Sequence, residues 1–349
     1  MRPSAAEIET RIGQNLQRYF PGLSPGSAQV RCAPFAETSS YPLVHCGVFD
    51  RATSARRAGL VVKFPPTWST HDEAETEHRQ LSRMAAVLGI GGGPLRVPRP
   101  LDYFPDWSAL VTEEVGGERF SRRLMRDTSR FAGRPAAARL AGWVRDCGRW
   151  LAAFHQATAL AGEAPFGDAF RDPIMQRLEK LQTQGLPAAV AARVQETLGA
   201  LRGWGTDRDV PVACLHGDFG PQNIHVAPEW ICVFDLSYDR PAAIFDDVAY
   251  FLVTLETMSP WPRHVFFDRA RALALREPFL QGYGRGTDGD DATALEGYYL
   301  KALVFRCAKQ RRNVAARGRL PAAAFDRVFV ARRYPERLER QCRLIQKLL

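Results

Sequence analysis

The 349-residue chain has little of what staples, anchors or tethers a protein. No run of 18 apolar residues occurs, which excludes a simple membrane-spanning helix. The opening MRPSAAEIET holds no apolar signal core, so a cytoplasmic protein is expected. Its seven cysteines (32, 46, 147, 214, 232, 307 and 342) are scattered, and none forms a Cys-x-x-Cys pair. That pattern argues against a disulfide framework or a structural zinc site and fits a reducing compartment. Internal repeats and low-complexity linkers are missing too. The rest, 46% hydrophobic and 24% charged, is an ordinary globular composition, and the length suggests about two domains.

Acidic residues are scarce at one end. From Lys301 to Leu349 there are 14 Lys or Arg against 3 Asp or Glu, a net of +11. The whole chain is only +9, so the first 300 residues sum to −2. The excess is local: a solvated face of C-terminal helices, or a surface that attracts an anionic partner such as a membrane or polymer. Aromatics are not interleaved with these arginines as in a nucleic-acid module, so no nucleic acid is expected.

Ile8, Ile12, Leu16 and Phe20 recur every four residues and predict an opening amphipathic helix. Five strand-like runs follow: QVRCAPFA, PLVHCGVFD, AGLVVKF, RPLDYF and SALVTEEV. A helix lies between the third and fourth, where Thr70 and Glu73 have the spacing of a capping box. Beyond Gly116-Gly117 the chain reads as mostly helical. AARLAGWVRDCGRWLAAFHQ lines up Leu140, Val144, Cys147, Leu151 and Phe154, and further helices are predicted around 173–203, 244–258, 263–280, 292–313 and 321–348.

Against that helical background, CLHGDFGPQNIHV at 214–226 places Asp218 two residues after His216 and five before Asn223. NIHV and WICVFD flank a Pro-Glu turn, a hairpin that ends on Asp235. An amide oxygen and a carboxylate at the two ends of a hairpin suit a hard cation such as Mg²⁺, which takes oxygen ligands and keeps several waters. Asp218, in the loop before the hairpin, is free to accept a proton from a hydroxyl attacking phosphate. A capped turn is the plain alternative for Asp and Asn in such a loop.

HGDFGPQN matches H-G-D-x-x-x-x-N, and the chain here resembles the aminoglycoside phosphotransferase and choline kinase family, small-molecule kinases with the protein-kinase fold. The resemblance implies an α+β, two-lobed fold, with an antiparallel-sheet N-lobe over 1–114 and a mainly helical C-lobe over 115–349. It makes Asp218 the catalytic base, and Asn223 and Asp235 the metal ligands. Lys63 in VVKF holds the donor's phosphates, and Asp247 in FDDVAYF braces the catalytic loop. On the capped helix Glu77, Leu81, Met84 and Leu88 share a stripe, so Glu77 is the expected partner of Lys63, with Glu75 on the other side. VPRPLDYFPDWSALVTEEVGG resembles the approach to the hinge, where backbone groups of Glu113 and Val115 meet adenine. Two departures stand out. No glycine-rich loop joins the first strands, leaving Ser39 and Ser40 of ETSSYP to cover phosphate, and Leu-Ser follows Asp235 where some relatives carry a second acid.

The expected activity is therefore transfer of a γ-phosphoryl group from ATP or GTP, with Mg²⁺, to a hydroxyl of a small molecule. The basic C-terminal segment disfavours a polycationic aminoglycoside and favours a neutral or anionic acceptor. Two other readings are a kinase of a lipid-linked or capsule-type glycan at a membrane surface, and a nucleotide-binding pseudokinase scaffold.

Overall fold

The structure, a computed structural model, describes residues 3–23, 26–34, 36–37, 42–65, 72–89, 93–163, 165–237, 240–258, 266–316 and 321–349. The elements run α1 (Ala5–Tyr19), β1 (Ala28–Cys32), β2 (Ala36–Glu37), β3 (Pro42–Asp50), β4 (Arg56–Lys63), α2 (Asp72–Leu88), β5 (Leu95–Arg96), β6 (Pro100–Phe104), β7 (Ala109–Glu113) and β8 (Glu118–Arg119). Then come α3 (Phe120–Asp127), α4 (Arg134–Ala157), β9 (Ala159–Glu163), α5 (Asp168–Thr183), α6 (Ala188–Trp204), β10 (Val210–Cys214), β11 (Ile224–Ala227), β12 (Trp230–Val233) and β13 (Pro241–Ala243). Five helices follow among the described residues: α7 (Phe245–Thr257), α8 (Arg269–Ala274), α9 (Arg276–Tyr283), α10 (Gly289–Ala316) and α11 (Pro321–Leu348). They form two compact units, Met1–Glu118 with His225–Asp239, and Arg119–Ile224 with Arg240–Leu349.

In the first unit the sheet order is β1-β3-β4-β7-β6, antiparallel, with β2 paired to β3. Val44, Val48, Leu60, Val62 and Val111 alternate onto one face and are fully buried there. Onto that face α1 lays Ile8, Ile12, Leu16 and Tyr19. The helix starts from a Ser4–Glu7 capping box and ends one residue sooner than the periodicity suggested, with Phe20 as its C-cap and Tyr19 completing the stripe. Lys63 ends β4, between Leu43 of β3 and Leu110 of β7. The expected capping residue of α2, Thr70, lies outside the described residues.

One expectation fails here. Register pairs Cys32 of β1 with Cys46 of β3, and the two form a disulfide. Fourteen residues separate them in sequence, a spacing that carries no signal; only strand pairing makes them neighbours. The other five cysteines are buried free thiols.

The second unit is mainly helical around one three-stranded sheet, β13-β10-β9, which the sequence reading missed. The stretch expected as one helix at 173–203 is two, α5 and α6, broken at Gly185, whose φ is +89°. Leu140, Val144, Cys147, Leu151 and Phe154 of α4 are all buried. Helices α4 and α9 approach closely because glycines face each other's backbones. A Cβ on Gly148 would lie 2.2 Å from the Phe279 carbonyl oxygen, and one on Gly282 would lie 2.0 Å from that of Arg145. Among the described residues no helix is long and apolar enough to cross a membrane. Gly148→Ala should cost about 1–3 kcal/mol by prying α4 from α9. Urea denaturation reads this, and an unchanged midpoint would refute the close-approach account.

Candidate active site

Lys63 is anchored in the first unit by two carboxylates. Its Nζ donates to Glu77 Oε2 at 2.7 Å and to Asp235 Oδ1 at 2.5 Å. The α2 stripe delivers Glu77 to this point, 5% exposed, while Glu75 faces solvent. Burial disfavours the Lys63 charge, but Glu77 and Asp235 outweigh it and push its pKa above the ordinary lysine value. Asp235 holds its place with φ +69°, a left-handed conformation that aspartate tolerates better than most residues at a cost of about 1–3 kcal/mol. Such strain recurs where a side chain must be aimed.

At the end of β7, Glu113 donates its backbone N–H to Arg99 O at 3.0 Å, and its side chain pairs with Arg99 Nε at 2.7 Å. Strand pairing stops there, and Glu114, Val115 and Gly116 continue as irregular chain. Ser39 and Ser40 lie outside the described residues.

The loop 215–223 belongs to the second unit. It leaves β10 and turns at Gly217, whose φ of +77° favours glycine. Asp247, 1% exposed near the start of α7, accepts the backbone N–H of His216 at 2.7 Å and of Gly217 at 2.9 Å. Its Oδ2 also meets His155 Nε2 at 3.2 Å, and the other ring nitrogen of His155 meets the Tyr283 hydroxyl at 2.8 Å. The expected brace is present, and His155 is a packed histidine that orients it. Beneath the loop, Phe219 stacks on Trp150 at 5.6 Å and leans on Phe251 at 5.2 Å, with Phe279 stacked beyond. His216 sits edge-on to Trp150 and Phe219.

Three side chains hold Asp218. Asn223 Nδ2 donates to its Oδ2 and to its backbone carbonyl, both at 3.0 Å; Gln222 Nε2 donates to Oδ1 at 3.1 Å; the Tyr250 hydroxyl donates to Oδ1 as well. With Nδ2 committed this way, Oδ1 is the acceptor end of the Asn223 amide. The sequence reading passed over Tyr250 and Phe219. Tyr250 lies three residues after Asp247, on the same side of α7, so helical spacing from the brace was the available signal. Burial and then the Asp218 carboxylate raise the Tyr250 pKa, and the Arg306 charge opposes the rise. Asp246, the neighbour of the brace, points elsewhere and pairs with Lys301 at 2.7 Å.

A family model described as "Phosphotransferase enzyme family" matches residues 48–297. No curated protein matches the chain. Among solved structures the chain is similar to a choline/ethanolamine kinase family protein from Mesorhizobium loti, at 14% identity and TM-score 0.54, covering 96% of this chain and 95% of that one. It is similar as well to amicoumacin kinase in complex with AMP-PNP, Ca²⁺ and Ami (13%, TM-score 0.53, 97% and 96%). A third is glucosamine kinase in complex with glucosamine, ADP and inorganic phosphate (16%, TM-score 0.57, 90% and 84%). At such identities the likeness carries the fold, which is kinase-like.

Asp247→Ala should destabilise the protein by about 3–5 kcal/mol, because two backbone N–H groups and a buried histidine lose their acceptor together. A denaturant midpoint that stays put would show that Asp247 does not hold the loop.

Proposed function

The chain belongs to the phosphotransferase enzyme family, and from that premise we propose that it moves the γ-phosphoryl group of ATP or GTP, with Mg²⁺, to a hydroxyl of a small neutral or anionic acceptor. The observation that carries this reading is the pinned carboxylate of Asp218, fixed by Asn223, Gln222 and Tyr250 on a loop braced by Asp247. Phosphoryl transfer asks a protein mainly for positioning and charge. In the proposed step the acceptor oxygen bonds to the γ-phosphorus as the bond to the β–γ bridging oxygen breaks. The bridging oxygen leaves with the electron pair on the nucleoside diphosphate, and Asp218 takes the hydroxyl proton.

Lys63, held cationic between Glu77 and Asp235, is assigned to the donor's phosphates. The Glu113 carbonyl and the Val115 amide, where strand pairing ends, are assigned to the adenine edge. Ser39 and Ser40 keep the sequence-based role of phosphate contacts. The donor set fits a divalent cation of the magnesium type. Asp235 would supply a carboxylate and Asn223 an amide oxygen, both hard donors. When bound, the ion would neutralise charge on the donor phosphates.

For the acceptor, the net +11 of the last 49 residues supports a neutral or anionic class over a polycation. A membrane-bound glycan acceptor has less support. Along the described part of α11, Arg332 and Arg333 pair with Glu336, Arg343 with Glu339, and Arg337 and Arg340 with Glu256. The pseudokinase reading would need a lost lysine, base or ligand, and the sequence keeps Lys63, Asp218, Asn223 and Asp235.

Asp218→Asn should slow transfer by about 10²–10⁴-fold while nucleotide affinity, read by calorimetry, hardly moves. Asp235→Ala should in addition abolish the part of that affinity that depends on Mg²⁺. Full activity in Asp218→Asn would end the base assignment. Incubation with Mg·ATP and a panel of sugars, phosphorylated metabolites and aminoglycosides should label neutral or anionic compounds; labelling confined to the aminoglycosides would overturn the acceptor class.

A further inference from the structure

A cavity of about 450 Å³ opens in the second unit among α7, α8, α9, α10 and α11. Leu252, Leu255, Ala272, Leu273 and Leu344 supply its apolar lining, and Arg276, Arg340, Arg343 and Lys347 its cationic lining, the two kinds interleaved along α11. It is separate from the Asp218 site by helical geometry. On α7, Tyr250, Thr254 and Thr257 share one face, whereas Leu252, Leu255 and Glu256 lie on the opposite one.

Two buried carboxylates organise the cationic lining. Glu256, 3% exposed, meets Arg269 at 2.7 Å, Arg340 at 2.9 Å and Arg337 at 3.8 Å, and accepts the Tyr299 hydroxyl. Glu296 takes Arg276 and the amide of Gln341. Four arginines thus share two carboxylates, an excess of two positive charges before Lys347 at the rim is counted. Arg337 has a side chain only 7% exposed, and neither its Nε nor that of Arg269 makes a hydrogen bond. A cluster that only tied the helices together would need one cation for each carboxylate. Of the four only Arg337 is buried; Arg269, Arg276 and Arg340 are 35%, 32% and 54% exposed, so the surplus charge is open to an anion from solvent.

We propose that this cavity is a second binding site, for a small free organic anion: a phosphate or carboxylate head set among Arg276, Arg340 and Lys347, on an apolar body lying against Leu252, Leu273 and Leu344. The volume suits a compact ligand of the size that such pockets enclose, at the lower end of about 300–1,000 Å³. Both halves of the ligand are required, since the leucines hold no polar head and the arginines give no reason for the apolar wall.

Titration calorimetry on the full chain with octyl phosphate and octanoate, against inorganic phosphate and octanol as half-probes, tests the site. The expected result is saturable binding of at least one amphipathic anion, about tenfold or more tighter than either half-probe. Leu344→Glu, at a side exposed enough to leave the fold intact, should weaken it at least tenfold, and Lys347→Glu should do so in part. The thermal shift given by Mg·ATP should be unchanged in both variants, which separates failure here from failure of the transfer chemistry. Three results would overturn the proposal: phosphate binding as well as octyl phosphate, affinity indifferent to Leu344→Glu, or attachment to phosphatidylglycerol vesicles with no binding of the soluble probes.

Discussion

Asp247 accepts two consecutive backbone N–H groups from the loop that carries Asp218. His216 and Gly217 lie outside any helix or strand that could satisfy those groups, and burying them unpaired would be costly. The carboxylate in turn depends on α7 for its position and on His155 for its orientation, and His155 depends on Tyr283. The chain of contacts runs from α9 through α4 to α7 and ends on the backbone of the loop. Gly148 and Gly282 let α4 and α9 come close enough for it to exist.

Aromatic packing adds rigidity of another kind. Trp150, Phe219, Phe251 and Phe279 form a continuous stack under the loop, so the residue directly after Asp218 is a core residue. A loop fixed from below by Phe219 and laterally by Asp247 leaves its polar members, Asp218, Gln222 and Asn223, to face one another. That division of labour explains why so polar a segment interrupts apolar surroundings. The first unit solves a simpler problem with the same economy: a lysine at the end of β4 is kept charged by one carboxylate from a helix and another from a strained turn. Either carboxylate alone would leave the lysine's burial less well compensated.

Much of this could be read along the chain because it is encoded locally. H-G-D-x-x-x-x-N is a contiguous motif, the hairpin that ends on Asp235 is marked by its turn, and Glu77 follows from a helical stripe only four residues per step. The missed features are long-range. Tyr250 needed the knowledge that α7 presents Asp247 and Tyr250 to the same loop. The disulfide needed the register of β1 on β3, and the cationic cavity needed five helices to converge on Glu256 and Glu296. The strands of the β13-β10-β9 sheet are only three to five residues long, too short to show a period.

The sequence by itself determined the fold class, the family and the identity of the polar residues, because periodicity and motif spacing act over a few residues and survive without a partner. Only the tertiary structure decided which groups those residues meet. Whether Asp218 is held by Tyr250, whether Cys32 finds Cys46, and where four arginines surround two glutamates all depend on contacts between residues 13 or more positions apart. Packing of side chains in three dimensions sets such contacts, and no one-dimensional pattern carries them.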